Sequence, residues 1–331
     1  MGKIIVYLPH NHLMSGRRAW DVGCMPRMDG KIAIVTGGSS GIGRVIVRTL
    51  AAMGAEVVMA VRDVHKGDEI AEGIRSELKD ATVGVMKLDL SDMGSVGDFI
   101  TSFKIEHDSL DLLINNAGVM VPPYSLTSQG YELQWGVNHL GHFALTGLLI
   151  DHLIGTPGSR IVTQTSMAHW SGDINFDDIN SEVRYKPWKA YQQSKLANLL
   201  FTLELQRRLD DLGLRDPISL ASHPGISKTP LFRHESLLTY LALRPLMQNA
   251  GRGALTALRA ATDPDVRGGE LYGPSGITEF KGFPVKVNPR NRGNDKELAG
   301  RVWALSEEMT GVRFEKHLRA GLCSDCGCLK E

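Results

Sequence analysis

Ile32-Ala-Ile-Val-Thr36 runs without interruption into Gly37-Gly-Ser-Ser-Gly-Ile-Gly43. The first five residues are a short apolar run ended by glycine, the pattern of a strand buried on both faces. From Gly43 to Met53 the apolar residues Val45, Ile46, Leu50 and Met53 fall on one side of a helix. A turn this rich in glycine, set between strand and helix, has a physical use. It supplies residues free to take positive φ, it keeps side chains away from an approaching pyrophosphate, and it leaves the unpaired N–H groups of the helix start facing the anion. A glycine cluster alone would carry little; in this context it predicts a nucleotide site.

Working outward, the alternation continues. Glu56 to Val61, Thr82 to Leu88, Leu110 to Ile114, Arg160 to Ser166, Pro217 to His223 and Gly269 to Tyr272 read as further strands. Between them, helices are expected over Lys66 to Leu78, from a cap at Ser91 to about Glu106, over Ser128 to Leu153 and over Pro187 to Leu212, with a last one over Asp295 to Met309. Strands alternating with helices of this length mean βαβ units and a parallel sheet. We expect one α/β domain over 29–312, a doubly wound Rossmann-type fold with helices on both faces. Residues 1–28 lack a sustained period and read as a loosely ordered extension, as sequence upstream of a start at Met28, or as a peripheral anchor or partner-binding arm. Residues 313–331 read as a tail.

Composition narrows the class. Of 331 residues 42% are hydrophobic and 22% charged, enough apolar material for a sizeable core. Lys plus Arg and Asp plus Glu both number 37, so no electrostatic footprint points to nucleic acid. The longest early apolar run, Ile4 to Leu8, is far below the roughly 20 residues of a membrane span. Four cysteines, absent from the whole stretch between Cys24 and Cys323, exclude a disulfide scaffold and fit a cytoplasmic setting. The closing Cys323-x-x-Cys326-x-Cys328 supplies three thiolates; a tetrahedral metal would need a fourth ligand such as His317, and a reduced tail with no metal is the expectation.

The end of the second strand chooses the cofactor. An acid there would hold a ribose 2′-OH and mark NAD(H). The strand instead ends Met59-Ala60-Val61-Arg62, and Arg62, with Arg44 after the glycine turn, can pair with a 2′-phosphate. Asp63 stands next to Arg62 and complicates the choice. NADP(H) rather than NAD(H) is expected.

Tyr191 and Lys195 lie four apart inside a helix, so phenol and ammonium share one face. With Thr36-Gly-Gly-Ser-Ser-Gly-Ile-Gly43, Asn115-Asn-Ala-Gly118 and Pro224-Gly225 they occur in an order and spacing that resembles the short-chain dehydrogenase/reductase family over about residues 29 to 310. Asn138-His-Leu-Gly-His142, Ser194-Lys-Leu-Ala-Asn198 and His223-Pro-Gly225 are similar to its retinol-dehydrogenase-like branch. The resemblance implies a seven-stranded parallel sheet in the order 3-2-1-4-5-6-7, homodimers or homotetramers, and a tetrad of Asn138, Ser166, Tyr191 and Lys195. In that tetrad Tyr191 moves the proton, Ser166 holds the substrate oxygen, Lys195 holds the nicotinamide ribose, and the Asn138 backbone holds a relaying water. It further implies cofactor contacts from Gly37, Ser39, Ser40, Gly41, Ile42, Gly43 and Arg44, from Arg62, from Asp89 and Leu90 on the adenine side, from Asn116, Ala117 and Gly118 at the ribose, and from Pro224, Gly225, Ile226 and Thr229 at the nicotinamide.

A tyrosine near its ordinary pKa of about 10 must be drawn toward neutrality to act as a base; about three units corresponds to roughly 4 kcal/mol, and Lys195 beside it is expected to help. His139, His142 and His169 are expected to pack rather than react. Trp170, Tyr185, Trp188, Phe232 and Tyr240, with the apolar segment Leu231 to Met247, are candidate walls of a pocket for a lipophilic small-molecule carbonyl or alcohol. Two other functions fit the motifs: reduction of a carbon–carbon double bond of the protochlorophyllide-reductase type, and a non-catalytic NADP(H)-sensing scaffold.

Overall fold

A computed structural model of the chain describes residues 13–14, 17–231 and 243–318. One sheet organises them. Its strands are β1 (Ile32–Thr36), β2 (Glu56–Val61), β3 (Val83–Lys87), β4 (Leu112–Asn115), β5 (Arg160–Gln164), β6 (Ile218–Ser222), β7 (Leu271–Pro274) and β8 (Pro284–Val287). The spatial order is β8-β7-β6-β5-β4-β1-β2-β3. The expected order of seven parallel strands is present, and an eighth strand, β8, closes the edge antiparallel to β7 with Val287 opposite Leu271. The order reverses between β1 and β4, which are direct neighbours with Ala33 opposite Leu112. Ligands of open α/β sheets bind at such a switch point, beyond the carboxyl ends of the strands.

The helices are α1 (Gly41–Ala52), α2 (Val64–Glu77), α3 (Met93–Glu106), α4 (Gly141–Ile154), α5 (Pro187–Asp211), α6 (Ala250–Thr262) and α7 (Lys296–Thr310). The period-2 alternation of the strands divides the core. Ala33, Val35, Val57, Met59 and Ile114 face α1 and α6, meeting Ile46, Val47, Leu50 and Leu258. Ile34, Val58, Ala60, Leu113 and Ile161 face the other way, onto Phe99, Phe103, Phe143 and Phe201. Burying each of the Val, Leu, Ile, Met and Phe side chains among them contributes about 1.5–3 kcal/mol.

Three expectations need correction. The domain starts before residue 29: Trp20, Met25 and Met28 are buried in the cluster under α1, so residues 19–28 are part of the packed unit. It also continues past 312, since Phe314 and Leu318 are buried against the Phe143 side. The helix expected from Ser128 begins at Leu133, where the buried carboxylate of Glu132 accepts the N–H groups of Gln134 and Trp135. Helix α6 was not expected from the sequence, because glycines inside its repeat hid it.

Candidate active site

The glycine turn takes the form its composition demands. Gly37 and Gly41 have φ of +67° and +52°. A Cβ on Gly43 would lie 2.4 Å from the Gly37 carbonyl oxygen, and one on Gly38 would lie 2.5 Å from Met59 Cγ, so helix and strand approach too closely for any side chain. Ser40 caps α1 without a side-chain bond. The first-turn amides therefore remain available, and these residues fit a pyrophosphate. Ser39, Ser40, Gly41 and Ile42 are half-buried on the crevice rim. Thr229 leans on the turn, its Cβ 3.3 Å from where a Gly41 Cβ would stand.

At the end of β2 the two candidates separate. Asp63 caps α2, accepting the Lys66 N–H at 3.1 Å. Arg62 is exposed and has no hydrogen bond or ion pair among the described residues. Arg44 is also exposed and lies near Glu77, whose carboxyl it helps hold low; the main cause of that lowering is the hydrogen bond from Arg48. Asp89 binds the Ser91 hydroxyl at 2.6 Å, and Leu90 is buried with its carbonyl close over Gly141.

The loop after β4 is held by Thr36. Its hydroxyl accepts the N–H groups of Asn116 and Ala117, each at 2.9 Å. Its single proton is then free for His142 Nε2, also at 2.9 Å. That assigns the proton of His142 to Nδ1, which donates to the backbone carbonyl of Asn138 at 3.0 Å. Burial moves His142 down to about 4, so it is neutral at physiological pH. Asn138 sits in a widened turn, Gly136–Leu140, where Gly141 N–H reaches back five residues to the Gly136 carbonyl. Single wide turns of this kind often mark functional positions in helices. The Asn138 side chain accepts from Val119 N–H at 2.8 Å and donates to Val119 O and Ser194 Oγ. It thereby clamps the loop that carries Gly118. A Cβ on Gly118 would stand 3.6 Å from Lys195 Nζ.

Tyr191 and Lys195 project from α5 into this space. Both are nearly fully buried. Lys195 Nζ donates to the Gln164 carbonyl at the end of β5 and lies 5.8 Å from the Tyr191 ring centre. Ser166 follows two residues later and opens a single helical turn, accepting the Ala168 N–H. Burial pushes the Tyr191 phenol up to about 12, with the Ser166 hydroxyl opposing the rise. Burial also moves Lys195 down to about 8. Burial is thus the largest cause of the shift at both groups. Met120, Val121 and Tyr191 form an apolar wall with Ala168 and Leu231, and Trp188 meets Tyr191 edge-on.

Pro224, Gly225 and Ile226 form the opposite wall. Gly225 has φ +61°, and a Cβ there would lie 2.3 Å from Phe280 O, while Ile226 N–H bonds that same oxygen. Trp170 packs away from Tyr191, beneath Arg290. Phe232, Tyr240 and the three tail cysteines lie outside the described residues. Sequence reasoning gave no role to Gln164, Ser194 or the hydroxyl of Thr36; Thr36 and Ser194 stood inside quoted motifs, but their partners lie far away in the chain. Among the described residues no helix is long and apolar enough to cross a membrane, and no cluster could hold a metal ion.

Known proteins resemble this chain over most of its length. A family model described as short chain dehydrogenase matches residues 31–236. Retinol dehydrogenase 12 of Homo sapiens is 43% identical over 291 residues, covering 87% of this chain and 89% of that protein. Polyprenol dehydrogenase of Mus musculus is 39% identical over 297 residues, covering 87% and 86%. A crystal structure of an uncharacterized protein from Mycobacterium paratuberculosis is 42% identical, with a TM-score of 0.76 over 89% of this chain and 99% of that one.

Proposed function

The chain belongs to the short-chain dehydrogenase family, and from that premise we propose that it is an NADP(H)-dependent oxidoreductase that interconverts a lipophilic alcohol and its carbonyl compound, with Tyr191 as acid/base. One observation carries the reading: Tyr191 and Lys195 are buried on one face of α5, beside Gly118 and Ser166, which follow the carboxyl ends of β4 and β5 next to the switch point.

The bound nicotinamide supplies or takes the hydride and, when oxidised, adds a positive charge to the site. The protein's own groups handle the proton. In the reducing direction Tyr191 is already protonated, because burial holds its phenol high, and its Oη delivers the proton to the carbonyl oxygen. Ser166 Oγ donates to the same oxygen and stabilises the charge that develops there. In the oxidising direction the phenol must first release its proton to solvent, a loss that the Lys195 ammonium, anchored on Gln164 O, favours, and the phenolate then takes the hydroxyl proton of the alcohol as hydride leaves its carbon. Asn138 acts through the Val119 loop and Ser194.

For the cofactor, Arg62 is exposed and unpaired among the described residues while Asp63 is committed to capping α2. This favours a 2′-phosphate over a 2′-OH, hence NADP(H). The apolar wall of Met120, Val121, Ala168 and Leu231 favours a lipophilic substrate, and two relatives are named for apolar alcohols, retinol and polyprenol. The test is a panel of aldehydes, ketones and alcohols assayed by NADPH absorbance with NADH in parallel. Turnover of apolar members with NADPH preferred is expected. Equal or faster rates with NADH would overturn the cofactor assignment, and no turnover across the panel would overturn the reaction.

A further inference from the structure

Beneath the Pro224–Gly225 turn runs a chain of polar groups, buried at His223 and Glu279, with no part in proton transfer. His223 is fully buried, with Nε2 2.9 Å from Glu279 Oε2. With that nitrogen donating to the carboxylate, Nδ1 is left to accept the Gly225 N–H, 3.4 Å away. The second oxygen of Glu279 takes Arg290 Nη2 at 2.6 Å. The Arg290 guanidinium lies over the Trp170 ring at 4.0 Å. Trp170 and His169 belong to the turn opened by Ser166, and His169 Nδ1 donates back to the Ser166 carbonyl at 2.6 Å. A continuous line of contacts thus joins the Gly225 turn to the Ser166 turn.

Two independent features show that the backbone is shaped around this line. A Cβ on Gly273 would stand 2.2 Å from His223 Nε2, so β7 makes room for the imidazole. Glu279 has φ +54°, a conformation that suits glycine and is costly for a residue that carries a Cβ. A glutamate in that position makes sense if its carboxylate is needed.

We propose that His223, Glu279 and Arg290 are positioning residues that hold the Pro224–Gly225 turn at a set distance from Ser166. This inference rests on the reading above, in which Gly225 backs the nicotinamide and Ser166 holds the substrate oxygen. The line fixes the separation of the two reacting partners while leaving the adenosine end of the crevice untouched.

The experiment uses the full chain and three variants: Glu279→Gly, which removes the carboxylate and relaxes the backbone, Glu279→Gln, which keeps an oxygen for His223, and Arg290→Met, which keeps cover over Trp170 at a half-exposed position. Calorimetry measures affinity for NADPH and, separately, for 2′,5′-ADP, the adenosine end alone. Glu279→Gly is expected to lose about tenfold in NADPH affinity and about tenfold in kcat, since misplacement by an ångström can cost about a hundredfold. Its affinity for 2′,5′-ADP should not change. Arg290→Met should move the same way by less, and Glu279→Gln should recover most of the loss. If both affinities fall together, or NADPH affinity and kcat stay unchanged in Glu279→Gly and Arg290→Met, the positioning role is wrong. If the unaltered chain binds 2′,5′-ADP and NADPH and turns substrate over, the functional reading stands whatever the variants show. If it binds neither, that reading is overturned and the positioning role with it.

Discussion

The crevice has two ends built on different principles. The nucleotide end is local: β1, the glycine turn and α1 are consecutive, and its shape comes from backbone that has no room for side chains at Gly38 and Gly43. The reacting end is assembled from afar. His142 bonds Thr36 across 106 positions, Asn138 bonds Ser194 across 56, and Lys195 bonds the Gln164 carbonyl across 31. The first end is damaged by adding atoms and the second by removing them. Backbone amides presented by a turn bind an anion with little help from neighbouring side chains, whereas a buried polar network is favourable only when each member keeps its partner.

The largest effect that would break this contrast is at Tyr191. Tyr191→Phe removes one oxygen and should lower kcat by about 10²–10⁴-fold, with NADPH affinity unchanged by calorimetry; a variant that binds NADPH normally and keeps its rate would favour the sensing scaffold. Next is acid stability. His142, held neutral in the fold, takes up a proton more readily when unfolded, because its pKa is about 4 folded against an ordinary 6.5. Stability is therefore full above pH 6.5 and is lost as pH falls toward 4, by roughly 3 kcal/mol from this group. Denaturant titrations across that window should show His142→Gln starting less stable at neutral pH but losing less on acidification. At the cofactor, Arg62→Ala should weaken NADPH by about 10–100-fold, the equivalent of a hydrogen bond to a charged group at about 1.5–3 kcal/mol, with NADH affinity unaltered. The smallest expected change is Gly43→Ala, whose methyl meets the Gly37 carbonyl; overpacking of this kind costs about 1–3 kcal/mol, read as a lower melting temperature together with weaker NADPH binding.

The same contrast explains what could be read in the sequence. The alternation of strands and helices, the glycine turn and the shared face of Tyr191 and Lys195 depend on periods of 2 and 3.6 and on neighbours a few residues apart, whereas the strand order followed from the family resemblance. Arg62 carried the expectation of NADP(H) with Asp63 beside it as a complication, and the cap that Asp63 makes on α2 was not legible in the sequence. β8 was hidden because an edge strand starting at Pro284 has no buried run to announce it. α6 was hidden by Gly251 and Gly253, the second of which packs against Ser227, where a Cβ would stand 2.2 Å from its Oγ. Trp20 and Phe314 lie in segments without periodicity, yet both are buried because large apolar side chains near an open core edge gain by covering it. Spacing put the Lys195 ammonium and the Tyr191 phenol on one face, but only the packed fold shows that both are buried and that burial shifts each of them.

The central claim is that the phenol at the end of this crevice moves the proton while hydride passes between nicotinamide and carbon. Single-turnover reduction of an apolar aldehyde with NADPH carrying deuterium at the transferable position, in the unaltered chain and in Tyr191→Phe, tests it most directly. Deuterium should appear on the carbinol carbon with the unaltered chain, and the transfer should slow by at least about a hundredfold in the variant while NADPH still binds. Transfer at an equal rate in both proteins, or no transfer in either, would contradict the account.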